Sequence, residues 1–161
     1  MTYAIEIQND KGYPIDEPRL RLAVITVLDQ HEIDPKTSLT IVITDDDEVQ
    51  TLNKTYRQID APTDVLSFPA DPLPDHVTDE PPYIGDMIIA YPYTKSQAAQ
   101  LQHDFSDNLS LLVIHGTLHL LGYDHDTPEN RAEMWSAQAD ALTTLKIDAS
   151  IVPTLEEANH D

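Results

Sequence analysis

The residues with the most evident chemistry are three histidines in the stretch HGTLHLLGYDHD, residues 115–126. His115 and His119 are four residues apart, so on a helix they lie on one face, separated by about 40°. Gly122 stands where a helix can end in a left-handed turn, and such a turn can bring His125 back toward the other two. Three imidazoles with one open coordination position are typical of a catalytic zinc site.

The same histidine spacing occurs in the metzincin zinc peptidases, which carry a glutamate directly after the first histidine as general base. Here that position is Gly116, so the metal ligands are present and the peptidase base is missing. Packed core histidines and a structural metal site are the alternatives. The third histidine disfavours the first of these, and the lack of cysteine ligands disfavours the second. The remaining histidines have no such context and are expected on the solvated surface: His31, His76, His103 and His160.

The composition limits the possible partners. The chain has 161 residues and a formal net charge of −20, from 29 acidic and 9 basic side chains. Its length fits a single domain spanning residues 1–161. A protein this acidic repels a phosphate backbone, so a polyanion must meet a local positive patch or a metal ion. The sequence shows neither a signal peptide nor an apolar run of about 20 residues, which predicts a cytoplasmic protein that does not bind membranes.

The hydrophobic periodicity predicts the element order β-α-β-α-β-β-α-α-α. Strands are predicted at residues 3–8, 39–44, 64–68 and 85–90, with the second of them in the sheet interior. Helices are predicted from Pro18 to before Asp34, at 45–56 and 93–102, from Ser106 as N-cap through the histidine motif, and from Pro128 after Thr127 as N-cap. This pattern predicts an α/β fold of the α+β type, in which about five helices cover a four-stranded mixed sheet. The metal site would lie on a buried central helix and the turn after it.

Two segments are predicted to be irregular. Residues 69–83 contain five prolines and four acidic residues, which indicates an exposed loop joining the two strands of a hairpin. We expect this loop to be mobile, to lie near the mouth of the site and to be removable with little loss of stability. The acidic tail, residues 150–161, is expected to fray.

Three motifs together resemble a known family. TYRQIDAPTDVLSFP, GDMIIA and HGTLHLLGYDH occur in this order between Leu39 and Asp126, and they resemble the YbeY family of rRNA maturation factors. The resemblance implies that the three histidines are the metal ligands and that Arg57 is the functional arginine of the family's YR motif. It also implies a metal-dependent, single-strand-specific endoribonuclease that acts in 16S rRNA 3′-end maturation and in ribosome quality control. Its partners would be single-stranded rRNA and the small ribosomal subunit with its assembly factors, and not DNA.

Other polar residues can be given roles by their chemistry. An arginine fork can bind two phosphate oxygens, which suits Arg57, although a lone surface arginine is more often just solvated. Lys54, one helical turn earlier, can add to a local positive edge and bind substrate. Asp124 and Asp126 flank His125, and they either accept a hydrogen bond from an imidazole and so orient it, or serve as turn and cap residues. The predicted cofactor is one divalent ion; zinc is favoured, although imidazole also suits nickel, copper and iron.

Three hypotheses follow from these residues. The first is a metal-dependent ribonuclease, and the second is a zinc peptidase-like hydrolase, which Gly116 disfavours unless another carboxylate supplies the base. The third is a non-catalytic ribosome-assembly factor with a structural metal. Position 116 separates the first two hypotheses, whereas the sequence does not separate the first from the third.

Overall fold

Four β-strands and five α-helices follow one another in the predicted order in the computed structural model, which describes residues 3–71 and 82–156. The elements are β1 (Ala4–Gln8), α1 (Glu17–Gln30), β2 (Ser38–Thr44), α2 (Asp46–Arg57), β3 (Val65–Pro69), β4 (Tyr83–Ala90), α3 (Tyr91–Leu101), α4 (Phe105–Leu120), α5 (Pro128–Leu145) and a 3₁₀ helix (Ala149–Glu156). The predicted fold class is therefore confirmed. Within these described ranges, no helix combines the length and the apolar character needed to cross a membrane.

The strands form one mixed sheet in the order β1-β2-β4-β3. β1, β2 and β4 run parallel, and β3 is antiparallel to β4. β2 lies in the interior of the sheet, where it hydrogen-bonds to β1 on one side and to β4 on the other. Its apolar and β-branched run LTIVIT predicted this position. β3 therefore forms an edge of the sheet.

The helices cover both faces of the sheet, and the side chains of β3 show which helix lies on which face. Val65 belongs to the main core with residues of α1, α4 and α5. Leu66, the next residue, belongs to a second cluster with Val49 of α2. Successive side chains of a strand point to opposite faces. Consequently α4 and α2 lie on opposite sides of the sheet.

The central element is α4, whose residues from Asn108 to Leu118 are all buried. The prediction that Ser106 is its N-cap is wrong. Asp104 takes that place, because its side chain accepts a hydrogen bond from the backbone N–H of Asp107 at 3.0 Å. Asp107 lies in the first turn, as predicted, where its charge also pairs with the guanidinium of Arg19.

The C-terminal segment packs on the core as far as it is described. Ile151 and Leu155 of the 3₁₀ helix are buried in the main core, and the Thr154 hydroxyl donates to Asn108 Oδ1 at 2.7 Å. The prediction that the chain frays from Ser150 is therefore wrong up to Leu155. The prediction relied on the acidic residues near the end of the chain and overlooked the apolar residues Ile151 and Leu155, which lie before or among them. Residues 157–161 lie outside the described residues.

Most of the predicted loop, residues 72–81, also lies outside the described residues. The strands that flank it are β3 and β4, which pair in antiparallel register from Val65↔Ile89 to Pro69↔Gly85. The predicted hairpin pairing is thus confirmed, while the behaviour of the loop stays a prediction.

Gly116 is the point at which α4 lies against the sheet. A Cβ atom at this position would clash with Met87 Sδ, and it would lie 3.0 Å from Met87 Cγ and 3.2 Å from Ser67 Oγ. Met87 is fully buried, so its side chain could move only against close-packed neighbours. A side chain at position 116 would therefore force Met87, or the strand β4 that carries it, to shift. This is a physical reason for glycine where the metzincins have glutamate.

Replacing Gly116 by alanine tests this contact. In an exposed helix the Gly116→Ala change would raise stability by about 1 kcal/mol. Here we expect the free energy of unfolding to fall by about 1–3 kcal/mol, because the added methyl group overpacks the helix–sheet contact. Urea denaturation of the wild type and the variant measures the difference. In a Met87→Ala background the same change should cost much less, because the opposing side chain is gone. An equal cost in both backgrounds would contradict the proposed clash.

Candidate metal centre

The turn after α4 has the geometry predicted at Gly122. Gly122 has φ +102°. Its backbone N–H donates to the His119 carbonyl at 3.0 Å, and the Tyr123 N–H donates to the Leu118 carbonyl at 3.0 Å. This pair of bonds is the Schellman ending of a helix, which needs a left-handed residue at this position. The turn folds the chain back beside the last turn of α4, where it brings His125 to the two helical histidines.

The three histidines form one cluster. The ring centroids of His115 and His119 are 4.6 Å apart. The ring centroid of His125 lies 5.4 Å from that of His115 and 5.2 Å from that of His119. Each ring offers a nitrogen within 4.8 Å of the other two. His115 is fully buried, whereas His119 and His125 are partly buried. The structure thus brings together the residues selected by their spacing.

Hydrogen bonds fix the orientation of the two helical imidazoles. His119 Nδ1 lies 3.0 Å from the Tyr123 carbonyl oxygen, and His115 Nδ1 lies 2.6 Å from Gln138 Oε1. Both oxygens are acceptors, so each Nδ1 donates its proton. In the neutral rings the Nε2 atoms then carry lone pairs, and these two atoms face each other at 3.1 Å.

This arrangement fits a bound cation. Two lone pairs at that distance repel each other unless a positive charge lies between them. A zinc ion binds imidazole nitrogens at about 2.0–2.1 Å, which places two tetrahedral ligands roughly 3.3 Å apart. The observed 3.1 Å separation is close to that value. The residues present therefore fit a divalent ion of the zinc type, and His125 is placed to supply a third nitrogen.

Gln138 was not identified from the sequence. Its side chain is only 1% exposed, and its Nε2 atom has no hydrogen-bond partner among the described residues. Histidines that bind metals commonly donate their second ring N–H to a protein oxygen, which orients the ring. The sequence signal for this contact was weak: Gln138 is a polar residue three positions after Trp135, beside the apolar residues of the last helix. It became interpretable only once α5 was known to pack on α4.

Trp135 and Arg131 of α5 also lie at the site, and the sequence analysis gave neither a role there. The indole is in edge contact with His115 at 5.9 Å and with His125 at 5.7 Å between centroids. The Arg131 guanidinium carbon lies 4.2 Å from the centre of the indole ring. The first half of α5 thus covers one side of the histidine cluster.

Asp124 and Asp126 make the hydrogen bonds of turn and helix-start residues, one of the two alternatives left open by the sequence. Asp124 Oδ1 accepts from the His125 backbone N–H at 2.8 Å. Asp126 Oδ1 accepts from Asn130 Nδ2 at 2.8 Å, and this bond lowers the pKa of the Asp126 carboxyl. The acceptors against the Nδ1 atoms of the helical histidines belong instead to Gln138 and Tyr123.

Arg57 and Lys54 lie on α2, across the sheet from α4. Arg57 Nη1 donates to Asn53 Oδ1 at 3.0 Å, and the buried Asn53 in turn donates to the Ala61 carbonyl at 2.8 Å. Arg57 is therefore anchored at one of its nitrogens. Lys54 is exposed, with Nζ 3.9 Å from a carboxylate oxygen of Asp60. Both residues can approach the histidines only around the edge strand β3.

A cleft of about 320 Å³ lies at that edge, beside the cluster. It is lined by Ser67 and Pro69 of β3, by His119, and by the turn residues 122–124. The open side of the site therefore faces the end of β3, the strand that α2 covers on its other face.

The prediction that the other histidines are solvated is wrong for two of them. His31 Nδ1 donates to the Val27 carbonyl at 2.8 Å, and its Nε2 lies 2.8 Å from the Tyr123 hydroxyl oxygen. His103 Nδ1 lies 3.0 Å from Thr154 Oγ1. The contacts with Tyr123 and Thr154 join residues that are distant in the sequence, so the local pattern could not show them. His76 and His160 lie outside the described residues.

Comparison with known proteins gives the family. The sequence model described as Endoribonuclease YbeY matches residues 5–146. The chain belongs to the YbeY family. The endoribonuclease YbeY of Acidothermus cellulolyticus is 38% identical over 154 residues, covering 91% of this chain and 94% of that protein. That of Chloroflexus aurantiacus is 39% identical over 149 residues, covering 90% and 97%. These matches confirm the family resemblance seen in the three motifs, and the family's description agrees with the endoribonuclease class that it implied.

A solved structure agrees with the YbeY assignment at the level of the fold. The solution structure of TM1509 from Thermotoga maritima matches with a TM-score of 0.55 at 23% identity, covering 98% of this chain and 97% of that one. At this identity the likeness concerns the fold alone.

Elemental analysis tests the metal site of this YbeY protein. We expect one divalent ion per purified chain and none in a His115→Ala/His119→Ala variant, because two of the three ligands are removed. His103→Ala is the matched control and should keep its metal, since His103 contacts Thr154 and not the cluster. Equal metal content in the wild type and the double variant would contradict the assignment.

The Gln138 contact predicts a graded effect on metal affinity. Gln138→Leu keeps the volume and removes the acceptor, so the affinity for zinc should fall about 10- to 100-fold. Gln138→Glu supplies a stronger acceptor and should raise the affinity. Competition with a coloured chelator measures both, and circular dichroism checks the fold. If the three proteins bound zinc equally well, Gln138 would have no part in orienting His115.

Proposed function

We propose that the protein is a metal-dependent endoribonuclease that cleaves single-stranded RNA during 16S rRNA 3′-end maturation and ribosome quality control. The observation that carries the proposal is the pair of opposed Nε2 atoms of His115 and His119, completed by His125, in a chain of the YbeY family. The proposed partners are the small ribosomal subunit and its assembly factors, and the proposed location is the cytoplasm.

The three histidines would hold the metal. As neutral ligands they would leave a divalent ion with its two positive charges. When bound, such an ion supplies charge to a phosphate group and lowers the pKa of nearby water toward about 7. Zinc is proposed because the nitrogen spacing suits it, although other ions that bind imidazole would fit the same ligands.

The charge of the chain favours binding at one place. A net charge of −20 opposes contact with a polyanion over most of the surface. A flexible single strand can place one phosphate at the metal centre and keep the rest of its backbone away. A duplex would bring two evenly charged, rigid backbones against the acidic surface. We therefore propose selectivity for single strands over duplexes.

Arg57 is proposed to bind the phosphate that is cleaved. Its guanidinium can donate two parallel hydrogen bonds to phosphate oxygens and stabilise the charge that builds up on them. The bond to Asn53 holds one end of the fork in place. Attack by water or by a 2′-hydroxyl forms the new phosphorus–oxygen bond, while the bond to the leaving nucleotide breaks. Lys54 would add to the positive charge on the same helix.

The clash at Gly116 argues against the peptidase hypothesis. A peptidase of the metzincin type needs a carboxylate at this position, and here a side chain would collide with Met87. The non-catalytic assembly factor is the other alternative from the sequence, and the match to an endoribonuclease family does not favour it.

Cleavage assays with Arg57 variants test the proposal. Metal-loaded wild type should cut a single-stranded RNA oligonucleotide and leave its duplex intact. Arg57→Ala should cut about 100-fold more slowly while keeping its metal, because a donor to the developing charge is lost. Arg57→Lys keeps the charge without the fork and should retain slow cleavage.

The controls separate the two candidate functions. His119→Ala, prepared in parallel, reveals any contaminating nuclease, since it should not cut. Wild-type cleavage by Arg57→Ala would remove Arg57 from the mechanism. A pure, metal-loaded wild type that binds RNA without cutting it would favour the non-catalytic assembly factor.

A further inference from the structure

We propose that Arg131, held against Trp135, binds the RNA phosphate next to the one at the metal centre. This inference rests on the proposed function, because it assigns a second RNA contact to the same site. It concerns α5, a helix outside the three motifs that carried the family resemblance.

The geometry places this guanidinium beside the histidines. Arg131 Cζ lies 4.2 Å from the centre of the Trp135 ring, and that ring lies 5.7 Å from the His125 ring. The distance from Arg131 Cζ to the His125 ring cannot exceed the sum of these two values. The contact of Trp135 with the fully buried His115 ties the indole to the cluster. Arg131 thus occupies a defined position next to the indole that covers the cluster.

Stacking leaves the chemistry of a phosphate contact intact. The guanidinium lies over the indole ring, and the N–H groups of a guanidinium point outward in the plane of the group. Those N–H groups are the ones that bind phosphate oxygens. Stacking also restricts the side chain beforehand, which lowers the entropy lost when RNA binds.

Acidic side chains lie near the position of Arg131, and an RNA strand at this side of the site would be repelled by them. Asp124 and Glu133 line a neighbouring cleft of about 310 Å³ together with Asn130. A strand that leaves the metal centre along α5 would meet these carboxylates. Arg131 is the cationic side chain of α5, and its charge can offset them.

Lys95 offers a matched control. Its ammonium lies 4.8 Å from the ring of Phe105, so it is also a cation held on an aromatic side chain. Phe105 begins α4, and His119 follows fourteen residues later, about 21 Å along the helix axis. Lys95→Gln therefore removes the same charge from the same kind of contact at the far end of the helix.

The experiment measures kcat and KM for cleavage of a single-stranded RNA oligonucleotide at several KCl concentrations, with metal content checked for each protein. We expect Arg131→Gln to raise KM about tenfold with kcat changed less than twofold. The slope of log KM against log salt should fall by roughly 0.7, the value for one phosphate contact on a single strand. Arg131→Lys should keep the wild-type slope, and Lys95→Gln should behave as wild type in every respect.

Three results would overturn the assignment. One is an Arg131→Gln protein with the KM and salt slope of the wild type. Another is an Arg131→Gln protein that loses metal, since the residue would then act by positioning the histidines. The third is a Lys95→Gln protein with the same change in slope, which would show a general effect of charge. If the wild type neither bound nor cut RNA, the proposed function would fail, and the role of Arg131 with it.

Discussion

The burial of α4 is the constraint on which the rest of the structure depends. The helix is apolar on nearly all sides, so it must be enclosed by the sheet, α1 and α5. It also carries His115, a polar side chain with no exposure at all. A buried imidazole without partners would cost several kcal/mol. The enclosure is therefore possible only if the neighbouring groups satisfy this ring. Gln138 of α5 accepts a hydrogen bond from its Nδ1, and its Nε2 faces His119, where a cation can bind.

The same constraint explains the small residue at position 116. A helix packed closely against a sheet brings backbone and side chains into contact at some point along its length. Here the contact falls one residue after His115, where Met87 of β4 leaves no room for a Cβ atom. The histidine can then point toward α5 while its neighbour touches the sheet. The packing against Met87, and not only the chemistry of the reaction, is therefore a reason why position 116 is glycine here and glutamate in the metzincins.

Much of the fold could be predicted because its signals are local. The dense apolar run of β2, the proline and threonine at the start of α5, and the glycine after α4 each act within a few residues. The histidine cluster was also predictable, since helical spacing and one turn bring its members together. The N-cap of α4 was misjudged because Asp104 and Ser106 are both competent caps only two residues apart.

What could not be predicted depends on contacts between distant elements. Gln138 reaches His115 across 23 positions in the sequence, and His31 reaches Tyr123 across 92. Neither side chain carries a local signal for its partner. Trp135, Ala139 and Leu142 have the spacing of an ordinary apolar stripe on a helix. Only the packing of α5 against α4 shows that the stripe also covers the candidate site.

The uncharged character of the site agrees with a polyanionic substrate. The Nδ1 partners of the two helical histidines are an amide oxygen and a peptide carbonyl, neither of which is charged. A carboxylate in those places would offset part of the charge of a bound ion. In a chain of net charge −20, that charge would be the main local attraction for a phosphate. Neutral partners would keep it available, whereas the acidic residues around the site, Asp124 among them, would limit how much of an RNA strand can approach. Affinity would then be confined to the few groups at the site, which gives local recognition of a single strand in place of extended binding along a backbone.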